Sequence, residues 1–175
     1  RYYEEALGKL PDGASQQWVL YYALGISYEN NKQWDKAEEN LLKALEISPN
    51  NYLIQNYLGY SWLKQGKNVE KAFGMVVDAY NQYPTDGHIT DSLGWAFYEI
   101  GMYNQAIKYL EKAAELEPAN ALINDHLGNA YWLGGRRNEA RFQWNHALTL
   151  PDDSGAVIRS NVEKKIIHGV KGHRP

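Results

Sequence analysis

Cysteine is absent from this 175-residue chain. Disulfides, thiolate metal ligands and a cysteine nucleophile are therefore excluded, while the redox compartment stays open. A basic excess is also missing: 18 Lys and Arg stand against 21 Asp and Glu, for a net charge of −3. A surface that neutralises phosphates needs the opposite balance, so no nucleic-acid partner is expected. No apolar run approaches the ~18 residues of a spanning helix, so direct membrane insertion is not expected either. HExxH, GxSxG and GxGxxG do not occur, and Gly66–Asn68 lacks the flanking residues of a phosphate-binding loop. The five histidines, His88, His126, His146, His168 and His173, show no metal-ligand spacing. No cofactor or metal is implied, and the expectation is a protein that is not an enzyme.

Proline is scarce, with six residues in all, and four of them fall at regular intervals: Pro49, Pro84, Pro118 and Pro151. The glycines that follow leucine keep a similar beat at Gly25, Gly59, Gly94 and Gly128, spaced 34, 35 and 34. Two alanine sets, Ala37, Ala72, Ala106, Ala140 and Ala44, Ala79, Ala113, Ala147, keep the same beat, each spaced 35, 34 and 34. Self-similarity at this period marks an array of supersecondary units. Within each unit apolar residues recur at three- and four-residue steps in two stretches, predicting a pair of amphipathic helices. Glycine costs roughly 1 kcal/mol inside a helix relative to alanine, so its return in every copy predicts close helix packing. Asn50 or Asn51, and Thr85 or Asp86, are candidate N-caps after the closing prolines. Copy two carries one extra residue near the turn at 64–71, which should lengthen only a loop.

The pattern resembles the tetratricopeptide-repeat family: a leucine–glycine pair, an aromatic three residues on, two spaced alanines and a closing proline. These slots read Leu24-Gly25, Tyr28, Ala37, Ala44, Pro49 in the first copy, and Leu58-Gly59, Trp62, Ala72, Ala79, Pro84 in the second. They recur as Leu93-Gly94, Phe97, Ala106, Ala113, Pro118, then as Leu127-Gly128, Tyr131, Ala140, Ala147 and an early Pro151. The resemblance covers residues 18–154 and implies an all-α, right-handed helix-turn-helix solenoid with a C-terminal capping helix. The expected division is a half repeat and linker at 1–17, repeats at 18–51, 52–86, 87–120 and 121–154, and a cap and tail at 155–175. Ile158, Val162 and Ile166 form the apolar stripe of that terminal helix, which reads as an end cap. The opening half repeat reads as a cut edge of a longer protein.

In such arrays the first helices line a groove that takes a protein or peptide partner. Helical spacing from the leucine–glycine pair places Tyr22 with Ile26, Asn56 with Tyr60, Asp91 with Trp95, and Asp125 with Asn129 on one face. The next turn adds Glu29, Leu63, Tyr98 and Trp132, and adjacent slots add Leu53, His88 and Leu122. This face is expected to be exposed and mildly acidic. Aromatics would supply contact area and the Asn and Asp side chains would hydrogen-bond an extended backbone. Ser92 and His126 stand in equivalent slots but lack a recognisable oxyanion hole, and read as ordinary helix residues. Arg136, Arg137 and Arg141 form a basic turn, read as solvated with an acidic contact as the alternative.

Co-chaperone tetratricopeptide domains that grip a C-terminal carboxylate use lysine and asparagine where this chain has Tyr22 and Ile26, so that mode is not matched. Residues 56–62, 86–113 and 123–144 also resemble the last repeats of long bacterial proteins of this family. Some of those are envelope lipoproteins that act as adaptors for periplasmic proteases, which implies a bacterial envelope or periplasmic setting. The functional expectation is a scaffold or adaptor binding a peptide or protein segment in the groove. The alternatives are a substrate-recruiting region of a larger enzyme or protease-adaptor lipoprotein, and a self-assembly module pairing through the N-terminal half repeat.

Overall fold

The computed structural model describes residues 5, 15–152, 155, 157 and 159–172. Most of the expected N-terminal half repeat, with the self-association surface assigned to it, lies outside these residues, as does Ile158. The described residues form nine helices and no strand: α1 Gln17–Asn30, α2 Trp34–Ile47, α3 Tyr52–Lys64, α4 Val69–Gln82, α5 Gly87–Glu99, α6 Tyr103–Leu116, α7 Ala121–Leu133, α8 Arg137–Thr149 and α9 Arg159–His168. Helices pair as α1/α2, α3/α4, α5/α6 and α7/α8, and each second helix also packs on the first helix of the next pair. The first helices α3, α5 and α7 touch in succession, and α9 closes the array against α8. This is an all-α solenoid with a terminal helix.

The leucine–glycine pair explains the pairing. A β-carbon on Gly25 would lie 2.6 Å from Leu41 Cγ, one on Gly59 2.9 Å from the Ala72 carbonyl oxygen, and one on Gly94 2.6 Å from Leu110 Cγ. In the fourth pair Trp144 takes the leucine's place over Gly128, and its indole Nε1 donates to Asn129 Oδ1 at 3.2 Å. The bare backbone of each first helix is thus the seat for one large side chain of the second. Ala37, Ala72, Ala106 and Ala140 are fully buried at the same crossings. Two apolar clusters result, one centred on Trp62 and Leu93, the other on Leu110, Leu127 and Trp144.

Each turn between paired helices is built alike. Lys32, Gly66, Gly101 and Gly135 all have positive φ. The amide one residue further on bonds back five residues, as in Gln33 to Tyr28, Lys67 to Trp62, Met102 to Phe97 and Arg136 to Tyr131, at 2.8–2.9 Å. That is a Schellman closure, which satisfies the last carbonyls of the first helix and reverses the chain in two residues. Asn68, left-handed at φ 45°, takes up the extra residue of copy two before α4 begins. Between pairs, Asn51, Asp86 and Asn120 cap the next first helix through backbone amides. Asn51 and Asp86 are among the residues expected from sequence.

Two glycines separate packing from propensity. Gly94→Ala should lower stability by about 1–3 kcal/mol through overpacking against Leu110. Gly74, in mid-helix with open space around its Cα, should give the opposite sign: Gly74→Ala should stabilise by about 0.5–1 kcal/mol. Urea denaturation of both variants checks this, and a shared sign would refute the seating role.

Candidate functional site

The concave side is formed by α1, α3, α5 and α7. A recess of about 650 Å³ runs across it, lined by Ile26 and Glu29 of α1, Tyr57, Tyr60, Ser61 and Lys64 of α3, His88 of α5, and Leu122 of α7. A smaller hollow of about 130 Å³ continues it past Asn56, Asp91 and Ser92. Asn56 Oδ1 is buried and has no hydrogen-bond partner. Four of the ten expected site residues, Tyr22, Ile26, Asn56 and Tyr60, are half-buried on this side, and all but Tyr22 line the recess or the hollow. Tyr57 and Ser61 belong to the recess but were not marked by spacing. The one signal for Tyr57 is that the slot before each repeat's leucine varies freely: Ala23, Tyr57, Ser92, His126.

The other six do not form the exposed face expected of them. Asp91 is 5% exposed, Asp125 7%, Asn129 5% and Tyr98 4%. Each is covered by a neighbouring element. Both Asp91 carboxylate oxygens meet His126 Nδ1 of the next repeat, at 2.9 and 3.0 Å. The Trp95 ring is stacked between His126, 4.2 Å away, and Tyr98, 4.6 Å away. Asp125 accepts from Lys165 Nζ of the terminal helix at 2.6 and 2.7 Å. Asn129 is turned inward to Trp144. Trp132 lies under the Arg137 and Arg141 guanidinium groups, each 5.2 Å from its ring centroid, and against the Gly169 backbone. Arg136 pairs with Glu111 and Glu139, so this basic turn is internally paired rather than merely solvated. Leu63 is likewise buried.

Acidic side chains tie α1 to α3, α5 to α7 and α7 to α9. Glu29 of α1 accepts from the Ser61 hydroxyl of α3 at 3.1 Å. Asp91 of α5 meets His126 of α7, and Asp125 of α7 meets Lys165 of α9. Ser92 Oγ donates to the His88 carbonyl of its own helix rather than to His126, so these two residues form no Ser–His pair. Burial raises the Tyr60 phenol well above its ordinary value, with the Asp91 and Glu29 carboxylates adding to the shift. Tyr57 is raised by burial and then by Glu29, and Tyr98 by burial and then by Glu99. Among the described residues no group of His, Asp and Glu is arranged to hold a metal, and no helix is long and apolar enough to cross a membrane.

Fold and site together define a helix-pair repeat protein whose first helices line a recess. The family pattern described as tetratricopeptide repeat matches residues 18–51, and one described as TPR repeat matches residues 94–135. The chain belongs to the tetratricopeptide-repeat family. It is 28% identical over 105 residues to the BBSome complex member BBS4 of Bos taurus, a match covering 60% of this chain and 20% of that protein. It is 27% identical over 125 residues to a TPR repeat-containing protein of Pseudomonas aeruginosa, covering 71% of this chain and 20% of that protein. A peroxisomal targeting signal receptor of Candida albicans is 29% identical over 100 residues, covering 57% and 17%. The matches thus span about a fifth of the length of these relatives. Among solved structures, a thermophilic TPR protein of Thermus thermophilus superposes with a TM-score of 0.70 at 23% identity, covering 79% of this chain and 75% of that one. MamA from Desulfovibrio magneticus superposes with a TM-score of 0.67 at 21% identity, covering 85% of each chain.

Removing one partner of the buried pair strands the other. His126→Ala should cost about 3 kcal/mol, and adding Asp91→Ala should recover part of it. A double-mutant cycle in urea measures the coupling, and additive losses would refute the tie. The three tyrosines give a second expectation. The unfolded chain releases these phenolic protons first, so their contribution is complete below about pH 10 and disappears as pH climbs towards the native values. Ultraviolet titration of the folded chain should show at least part of the tyrosine complement ionising late, together with unfolding.

Proposed function

We propose that this chain is a protein–protein interaction scaffold that takes an extended protein segment along the α1–α3–α5 part of the concave recess. The observation that carries this reading is Asn56, whose buried Oδ1 has no partner on the floor of an aromatic-lined hollow. A buried amide oxygen without a donor is costly, and a backbone N–H of a bound segment supplies one. Tyr57, Tyr60 and Leu122 offer apolar area to alternate side chains of such a segment, and His88 and Lys64 stand at the exposed edge. The segment lies towards the N-terminal repeats, because Asp91, Asp125 and Trp132 are engaged within the chain. Two relatives are named for comparable roles, a member of a complex and a receptor for a targeting signal. The remaining carboxylate of the recess, Glu29, favours a segment with a basic residue.

Peptides selected for binding from a displayed random library test this directly. Asn56→Ala and Tyr60→Ala should each weaken them on the order of tenfold, as expected of central contacts. Glu163→Ala, on the exposed side of α9, should leave them unchanged. Equal affinity for all three variants would sink the groove reading.

A further inference from the structure

Aligning the junctions between repeats exposes a site on another side of the solenoid. Between the second and third repeats, Tyr80 of α4 and Tyr109 of α6 meet edge to face, with ring centroids 5.5 Å apart. Tyr109 also stacks on Phe97 of α5 at 5.3 Å. Lys112 covers the assembly: its ammonium lies 5.0 Å from the Tyr80 centroid and donates to the Tyr80 hydroxyl at 2.8 Å and the Pro84 carbonyl at 2.7 Å. Between the first and second repeats the same places hold Leu45 and Met75, members of one apolar cluster. Both junctions are filled.

One repeat further on, the same slots read Ala114, Gln143 and His146 in place of Tyr80, Tyr109 and Lys112. Two rings and a cation are lost together. What remains is a shallow recess of about 440 Å³ between α6, α7 and α8, which shares no lining residue with the concave one. Leu127, Tyr131 and Ala114 give it apolar walls, and Glu115 stands on its exposed edge with no ion pair among the described residues. Gln143 Oε1 is buried and unpartnered. Phe142, where the preceding copy has Lys108, is 69% exposed beside the recess and stacks on His146.

We infer that this vacant junction is a docking site for a protein segment presenting a tyrosine next to a lysine or arginine. The filled junction is the template: an aromatic ring enters between the helices and a cation closes over it. The donor atom of such a segment answers Gln143, its ring meets Phe142 and Tyr131, and its positive charge meets Glu115. An acidic neighbour to the tyrosine would instead face Glu115 and be disfavoured.

The test uses the whole chain and N-acetyl-lysyl-tyrosinamide, followed by amide NMR. Saturable shifts should appear at Ala114, Phe142, Gln143 and His146 at concentrations on the order of millimolar. N-acetyl-glutamyl-tyrosinamide and N-acetyl-lysyl-alaninamide should bind on the order of tenfold more weakly. The double variant Ala114→Tyr/Gln143→Tyr rebuilds the preceding junction and should abolish the shifts while retaining helical circular dichroism. If it does not fold, Phe142→Ser, a change at an exposed position, should weaken the probe on the order of tenfold instead. Shifts confined to Ile26, Tyr60 and His88, or shifts undiminished in the variant that folds, would overturn the assignment. A concentration-dependent mass that Phe142→Ser abolishes would assign the recess to a second copy of the chain and overturn it equally.

Discussion

The whole array rests on a close approach of two helices at one glycine per repeat. Where Gly25, Gly59, Gly94 and Gly128 leave the first helix bare, the second helix lays down Leu41, Val76, Leu110 or Trp144. That contact sets the separation within a pair. The alanines above and below it then have to be small, and the Schellman turns have to reverse the chain within two residues. Stacking follows, because an isolated pair cannot cover its own apolar surface. The fold is consequently indifferent to much of the remaining sequence, and a single residue can be added at Asn68 without disturbing any crossing.

That indifference explains what could and could not be read in advance. The glycine, alanine and proline slots carry the fold because each demands a particular size or backbone freedom. The face of Asp91, Trp95, Asp125 and Trp132 was also identifiable, since helical spacing places side chains around an axis. Whether that face meets water is not a property of one helix. Asp91 is covered because His126 lies in the next copy, and Asp125 because Lys165 lies in a helix outside the repeats. Trp132 is covered by arginines from α8 and by backbone beyond α9. In the first two repeats Tyr22, Ile26, Asn56 and Tyr60 stay half-buried, whereas Leu63 is buried.

The differences between copies carry more functional meaning than their agreement. The slot held by Tyr80 and then Ala114, or by Tyr109 and then Gln143, is silent on fold yet decides whether a junction is solid or open. The slot before the repeat leucine behaves in the same way. Tyr57 contributes to an open recess, whereas His126 closes a buried pair. A repeat protein can thus move a recognition surface from one junction to another by exchanging two or three side chains, without altering its backbone.

Lys165 has a further meaning for how the array ends. Asp91 and Asp125 stand in the same slot of consecutive copies, and each receives a cation or imidazole from whatever lies next in line. The helix that follows the fourth pair therefore impersonates a further repeat at this slot, supplying from Lys165 the partner that His126 supplies to Asp91.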